Sequence, residues 1–144
     1  MPTSTRFAVT VHILSILALH DRQPVRSEYL AASVCTNPAV IRRLLCKLSD
    51  AGLTSSQLGY GGGTMLAKPA DQITLLDIFH LVEDPNIFEM HRTKPNENCS
   101  IGRNIQEILL QSTTKAQQVL EDELAKTTIA QVSKEIQKLS KQQN

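Results

Sequence analysis

A mostly α fold with a small β-wing is predicted by three features: apolar residues recurring at helical spacing, a glycine-rich hairpin signal at TSSQLGYGGGTML, and two short capped helical segments directly before it. At 144 residues the chain is long enough for one compact unit with a real core. The arrangement reads as a winged helix-turn-helix followed by a long C-terminal helix that serves dimerisation.

The first helix is expected over residues 5–20, with Phe7, Val11, Leu14 and Ala18 on one stripe and Ile13, Ile16 and Leu17 widening it. A helix this apolar is buried on most sides. The segment also invites comparison with a signal peptide, but it has one early arginine and no small-residue cleavage site. It reads as part of a cytoplasmic folded protein. No apolar run approaches the roughly 20 residues needed to cross a bilayer. DRQPV breaks the helical pattern, and SEYLAASV reads as a short helix with Ser27 as its N-cap. In CTNP, Asn37 can cap the next helix, and Pro38 suits its first position because its fixed φ is helical and its missing N–H has no partner there.

That third helix, PAVIRRLLCKLSDAG, ends at Gly52, a natural left-handed cap, and its two faces differ chemically. Ile41, Leu44, Leu45 and Leu48 fall on one side, and Arg42, Arg43, Cys46, Lys47 and Asp50 on the others. A solvated basic face is the plain reading of such charges. Two short helices joined by a tight turn, the second bearing arginines, have instead the layout of a nucleic-acid reader. Leu53–Gln57 and Thr64–Ala67 then flank LGYGGG as the strands of a hairpin. Glycines at its tip let the backbone approach another surface with no Cβ in the way. A phosphate-cradling nucleotide loop is excluded, since no Lys-Ser or Lys-Thr pair follows and the glycines lead into a strand.

Net charge is only +1, but residues 1–70 carry seven Lys/Arg against three Asp/Glu, and residues 71–144 carry eight against eleven. A basic front half and an acidic back half suggest that one end meets a polyanion. Behind the hairpin, Ile101, Ile105, Ile108, Leu109, Ala116, Val119, Leu120 and Leu124 form a long apolar stripe that one chain has difficulty covering. A partner subunit is its expected cover. A last helix carries Ile129, Val132, Ile136 and Leu139 before fraying into polar residues. The chain therefore divides into a DNA-binding unit at 1–84, a connecting or sensor loop at 85–100 and a helical dimerisation region at 101–144.

Phe7-Ala8-Val9, the sequence LSDAGL at 48–53, and TSSQLGYGGGTMLAKPADQITLLDIFHLVE together resemble the Rrf2 family of bacterial winged-helix transcriptional regulators, which includes the iron–sulfur cluster regulator and the cysteine-metabolism repressor. The resemblance is close over about residues 3–84. It implies a homodimer on a palindromic operator in double-stranded DNA, with the third helix in the major groove and the wing in the minor groove. Carried over by position, Asn37, Ala39, Arg42 and Arg43 lie near base edges or phosphates. Lys47 and the wing backbone at Tyr60, Gly61 and Gly62 then follow the sugar-phosphate chain. Many relatives have Arg-Gly where this chain has Leu58-Gly59, proline at Tyr60, and Tyr-Leu-Glu where it has Val40, Ile41 and Arg42. The wing thus lacks a minor-groove cation, and the helix offers a guanidinium suited to guanine in place of an acid suited to cytosine. DNA binding with an altered target follows, in a regulator read as a repressor. Without the wing arginine, a protein-docking module is the alternative.

Cluster-binding relatives carry three cysteines in the loop before the long helix, where this chain has Cys99 alone, so no iron–sulfur cluster or other cofactor is expected. His12, His20, His80 and His91 have no ligand spacing that supports a metal site. Cys99 and His91 are the only nucleophile and base near each other in sequence, and no acidic partner accompanies them, so the chain is not expected to be an enzyme. A thiol switch remains: Cys99 at the start of the long helix, with Lys94 and Arg103 nearby, and Cys35 just before the third helix. The plain reading makes Cys35 a buried core residue and Cys99 an idle loop thiol.

Overall fold

A computed structural model describes residues 4–144. Its elements are α1 (Arg6–Leu19), α2 (Ser27–Val34), α3 (Pro38–Asp50), β1 (Thr54–Gln57), β2 (Gly63–Leu66), a single 3-10 turn (Ala70–Gln72), α4 (Leu75–Val82), α5 (Ser100–Leu124) and α6 (Ile129–Gln143). The two strands pair antiparallel in the register Thr54 with Leu66 through Gln57 with Gly63. No helix among the described residues is long and apolar enough to cross a membrane.

α1 is the centre of the core, packed by α2, α4, α6 and β2. Its innermost side chains are Ile13, Leu14 and Leu17, while Phe7, Val11 and Ala18 are only partly buried. The expected stripe is therefore rotated, because neighbours approach α1 from several directions and no single face is the inner one. Val25, Leu30 and Ala31 in and before α2, Ile41, Leu44, Leu45 and Leu48 from α3, Leu53 after it, Ile73, Ile78 and Val82 around α4, and Ile129 from α6 complete the core.

Among the described residues, side-chain caps open three of the six α-helices, α3, α4 and α6. Asn37 Oδ1 accepts from the Ala39 amide at 2.8 Å with Pro38 in the first turn of α3, and Gly52 takes the left-handed φ of +76° just past its end. Ser27 is not the cap of α2: Arg26 holds that position in extended conformation without a side-chain bond, and the Ser27 hydroxyl turns to the Glu28 carboxylate at 3.4 Å. The reason lies one residue earlier. Val25 exchanges two backbone hydrogen bonds with Thr64, at 2.9 and 2.8 Å, which stretches the chain entering α2. Reciprocal caps open α4 (Thr74 with Asp77) and α6 (Thr128 with Gln131), and the Thr74–Thr128 bridge ties the two starts together.

α5 has no buried residue. Ile101, Ile108 and Val119 are 70, 58 and 69 % exposed, and Ile105 and Leu124 are half-buried. Its link to the body is a contact with α4, where His80 Nε2 lies 3.0 Å from Glu121 Oε1. α6 returns to pack on α1 and stays helical to Gln143, beyond the polar stretch expected to fray.

Candidate nucleic-acid interface

α2 and α3 meet through a tight turn in which Cys35 takes a left-handed φ of +61° and the Thr36 amide bonds to the Ala31 carbonyl. The turn aims the capped start of α3 away from the core. With Ile41, Leu44, Leu45 and Leu48 buried, Arg42, Arg43, Cys46 and Lys47 are all exposed. Asn37 and Ala39 are exposed at the first turn, where the Asn37 oxygen and the Ala39 amide are committed to each other.

Arg42 is steered from α2. Its guanidinium lies 3.6 Å from the Glu28 carboxylate, with both side chains more than half exposed. Glu28 is held below the usual carboxylate range by its own backbone amide in the first turn of α2, against desolvation, with Arg26, Arg42 and the Ser27 hydroxyl adding to the lowering. An exposed pair of this kind contributes about 0–1 kcal/mol, whereas a bidentate guanidinium–base contact discriminates by about 1–3 kcal/mol. The pair therefore orients Arg42 without withholding it. Nothing in the sequence marked Glu28, because the contact exists only once α2 and α3 are packed.

The hairpin stands beside this helix. Ser27 of α2, Arg42, Leu45, Cys46 and Ser49 of α3, and Gln57, Leu58 and Gly63 of the wing all line one cleft of about 510 Å3. Cys46, unexplained by its place on the polar side of α3, faces this cleft. At the tip the Gly62 amide bonds to the Gly59 carbonyl at 3.0 Å, closing a four-residue turn with Tyr60 and Gly61 at its centre. Gly61 at φ +76° supplies the positive φ that a type II turn needs in its third residue. The other two glycines of the triplet answer to the chain itself rather than to an outside surface. A Cβ on Gly62 would collide with the Gln57 carbonyl, and one on Gly63 would sit 2.6 Å from the Val25 backbone. Tyr60, Gly61, Leu58 and Gly59 are exposed.

Cys35 is not the buried core residue of the plain reading, since it is exposed, as are Cys46 and Cys99. Cys99 is the N-cap residue of α5. The Gly102 amide first, then that of Ile101, holds its thiol below the ordinary range against slight desolvation. No side-chain bond closes the cap, so these amides act as aligned dipoles. Lys94 and Arg103 do not supply the effect: Lys94 pairs with the Glu97 carboxylate, and Arg103 Nη1 bonds to the Glu97 carbonyl at 3.4 Å.

An arginine-bearing helix behind a capped turn, flanked by a glycine-tipped hairpin, defines a winged helix-turn-helix protein of the class that regulates transcription. The chain belongs to the Rrf2 family, described as iron-dependent transcriptional regulators, whose profile matches residues 3–135. It is 35 % identical over 130 residues to YwnA of Bacillus subtilis (strain 168), provisionally named an HTH-type transcriptional regulator, covering 90 % of this chain and 95 % of that one. A crystal structure provisionally assigned as a DNA-binding protein shares 32 % identity at a TM-score of 0.69, over 88 % of this chain and 97 % of that chain. Staphylococcus aureus CymR shares 25 % identity at a TM-score of 0.67, over 90 and 96 % of the two chains. The family is one of transcriptional regulators and not of enzymes.

The family description raises iron, and the residues present do not fit it. An iron–sulfur cluster needs a set of thiolate or imidazole ligands, and the loop before α5 offers one thiol, Cys99, and one imidazole, His91. Among the described residues no group of three His, Cys, Asp or Glu side chains is placed to hold a metal ion.

Proposed function

We propose that this Rrf2-family regulator binds a palindromic operator as a homodimer and represses transcription, with residues 1–84 contacting DNA and 101–144 joining the subunits. The observation that carries this reading is the shared cleft: the exposed face of α3, with Arg42 oriented by Glu28, and the wing line one concave surface. Arg42 and Arg43 then meet base edges or phosphates in the major groove, Asn37 and Ala39 pack at the entry of α3, and Lys47 with the backbone of Tyr60, Gly61 and Gly62 follows the sugar-phosphate chain. A second copy covers the apolar face of α5, whose exposed Ile101, Ile108 and Val119 have no cover in their own subunit.

Cys99 is the proposed oxidant sensor of this regulator, supported by its exposure and its depressed pKa, with Cys35 at the hinge before α3 as its candidate partner. Docking of a protein on the wing is the second reading, favoured by the absence of any Lys or Arg between Lys47 and Lys68. Selection of bound duplexes from a random pool, followed by titration at several salt concentrations, separates the two. DNA binding predicts a recovered inverted repeat and an affinity that falls steeply with salt as phosphates are neutralised. Recovery of no sequence, or an affinity indifferent to salt, rejects it.

A further inference from the structure

The wing tip carries two large apolar side chains that the fold does not use. Leu58 is 92 % exposed and Tyr60 is fully exposed. Single exposed apolar residues are ordinary, but these two flank Gly59 on one narrow turn. A Cβ added at Gly59 or at Gly61 would meet nothing within 4 Å, so the tip projects into open space. Tyr60 is the second residue of the tip turn, the position where proline would preset the backbone at no cost in side-chain exposure. The chain puts its bulkiest side chain of the segment there instead. The strand directly behind the tip turn is fastened by the Val25–Thr64 hydrogen bonds, so the tip is presented on a braced stem. It is also uncharged, with the nearest cations along the chain at Lys47 and Lys68, and Arg42 across the cleft on α3.

We infer that Leu58 and Tyr60 form an apolar wedge that enters the minor groove and partly unstacks a base step, kinking the operator toward α3. This rests on the DNA-binding reading and deepens it. A wing that reaches a minor groove without a cation has no electrostatic hold there, and insertion of apolar side chains between bases is the other established way of gripping that groove. The basic groups that hold phosphate lie on α3, on the far side of the shared cleft, so a bend toward α3 brings both surfaces into contact at once. Flexible pyrimidine–purine steps, which unstack most readily, are the steps that accept the wedge.

The test uses the full chain and a duplex recovered by selection. Bending is read by fluorescence transfer between the duplex ends, and unstacking by 2-aminopurine placed at the step facing the wing. The variants are Tyr60→Phe, which keeps the wedge, and Leu58→Ser with Tyr60→Pro, which keeps the turn and removes it. Wild type and Tyr60→Phe are expected to bend the duplex within the roughly 20–90° range of side-chain wedges and to brighten 2-aminopurine. The double variant is expected to do neither, to bind roughly 5- to 150-fold more weakly as stacking on a base is lost, and to keep the same salt slope because no Lys or Arg is removed. Tight, salt-sensitive binding without bending, matched by the double variant, overturns the wedge and leaves the regulator intact. Failure of the wild type to bind any duplex overturns both, and leaves the apolar tip as a protein-docking surface.

Discussion

Alanine at Gly63 would set a methyl carbon 2.6 Å from the Val25 backbone, where ordinary contact begins at 3.4 Å, so the two segments must separate by 3.4 − 2.6 = 0.8 Å. Val25 and Thr64 are joined by hydrogen bonds of 2.9 and 2.8 Å, which such a shift stretches to about 3.6–3.7 Å, outside bonding range. Two lost backbone bonds cost about 1–3 kcal/mol, and alanine at the φ of +153° of this position adds about 1–3 kcal/mol. The expected loss is about 2–6 kcal/mol. Gly61→Ala is the internal control for a positive φ without a close contact, since at +76° it carries the left-handed penalty but its Cβ meets nothing. It should lose only about 1–2 kcal/mol. Stiffening of the unfolded chain by alanine is common to both variants and cancels in the comparison. Urea unfolding followed by circular dichroism at one fixed protein concentration gives the two losses, and amide exchange at Val25 and Thr64 shows whether the wing parts from the segment leading into α2. A Gly63→Ala protein as stable as Gly61→Ala refutes the close-approach argument.

Three further outcomes are expected. Asn37→Ala removes the side-chain cap of α3 and should cost about 0.5–2 kcal/mol of unfolding free energy, measured by the same urea titration, with Asn37→Asp restoring most of it. Thr10→Val replaces a fully buried hydroxyl that has no hydrogen-bond partner, so it should raise stability by about 1 kcal/mol; a lower melting temperature counts against an unsatisfied group there. For Cys99 the depressed pKa means the thiolate persists to lower pH in the folded chain than in the unfolded one, so reactivity falls away only as pH drops through the lowered value. Alkylation of a Cys35→Ser, Cys46→Ser protein should therefore titrate below the same chain in urea, and coincident curves would remove the helix-start effect.

Much of this was legible in the chain. Asn37-Pro38 marks the start of α3, the alternation of leucines and arginines divides its faces, and TSSQLGYGGGTML locates both strands to within a residue. Those features depend on neighbours in sequence. What the sequence concealed depends on distant pairings: Val25 with Thr64 displaced the α2 cap from Ser27 and gave Gly63 its reason, and Glu28 became the partner of Arg42 only across the helix pair. The orientation of α1 was hidden for a related cause, because a helix apolar on several sides leaves its inner face to be set by whatever packs around it. Lys94 and Arg103 show the opposite failure: close to Cys99 in sequence, both are engaged by Glu97.

The division of α3 has an evolutionary corollary. All four of its inward side chains are buried, and the outward residues Arg42, Arg43, Cys46 and Lys47 carry none of the core. Exposed substitutions of that sort usually shift stability by less than about 0.5 kcal/mol. On the DNA-binding reading proposed above, a descendant lineage can therefore rewrite the outward row one residue at a time and acquire a new set of target genes, while the scaffold beneath it stays folded at every step.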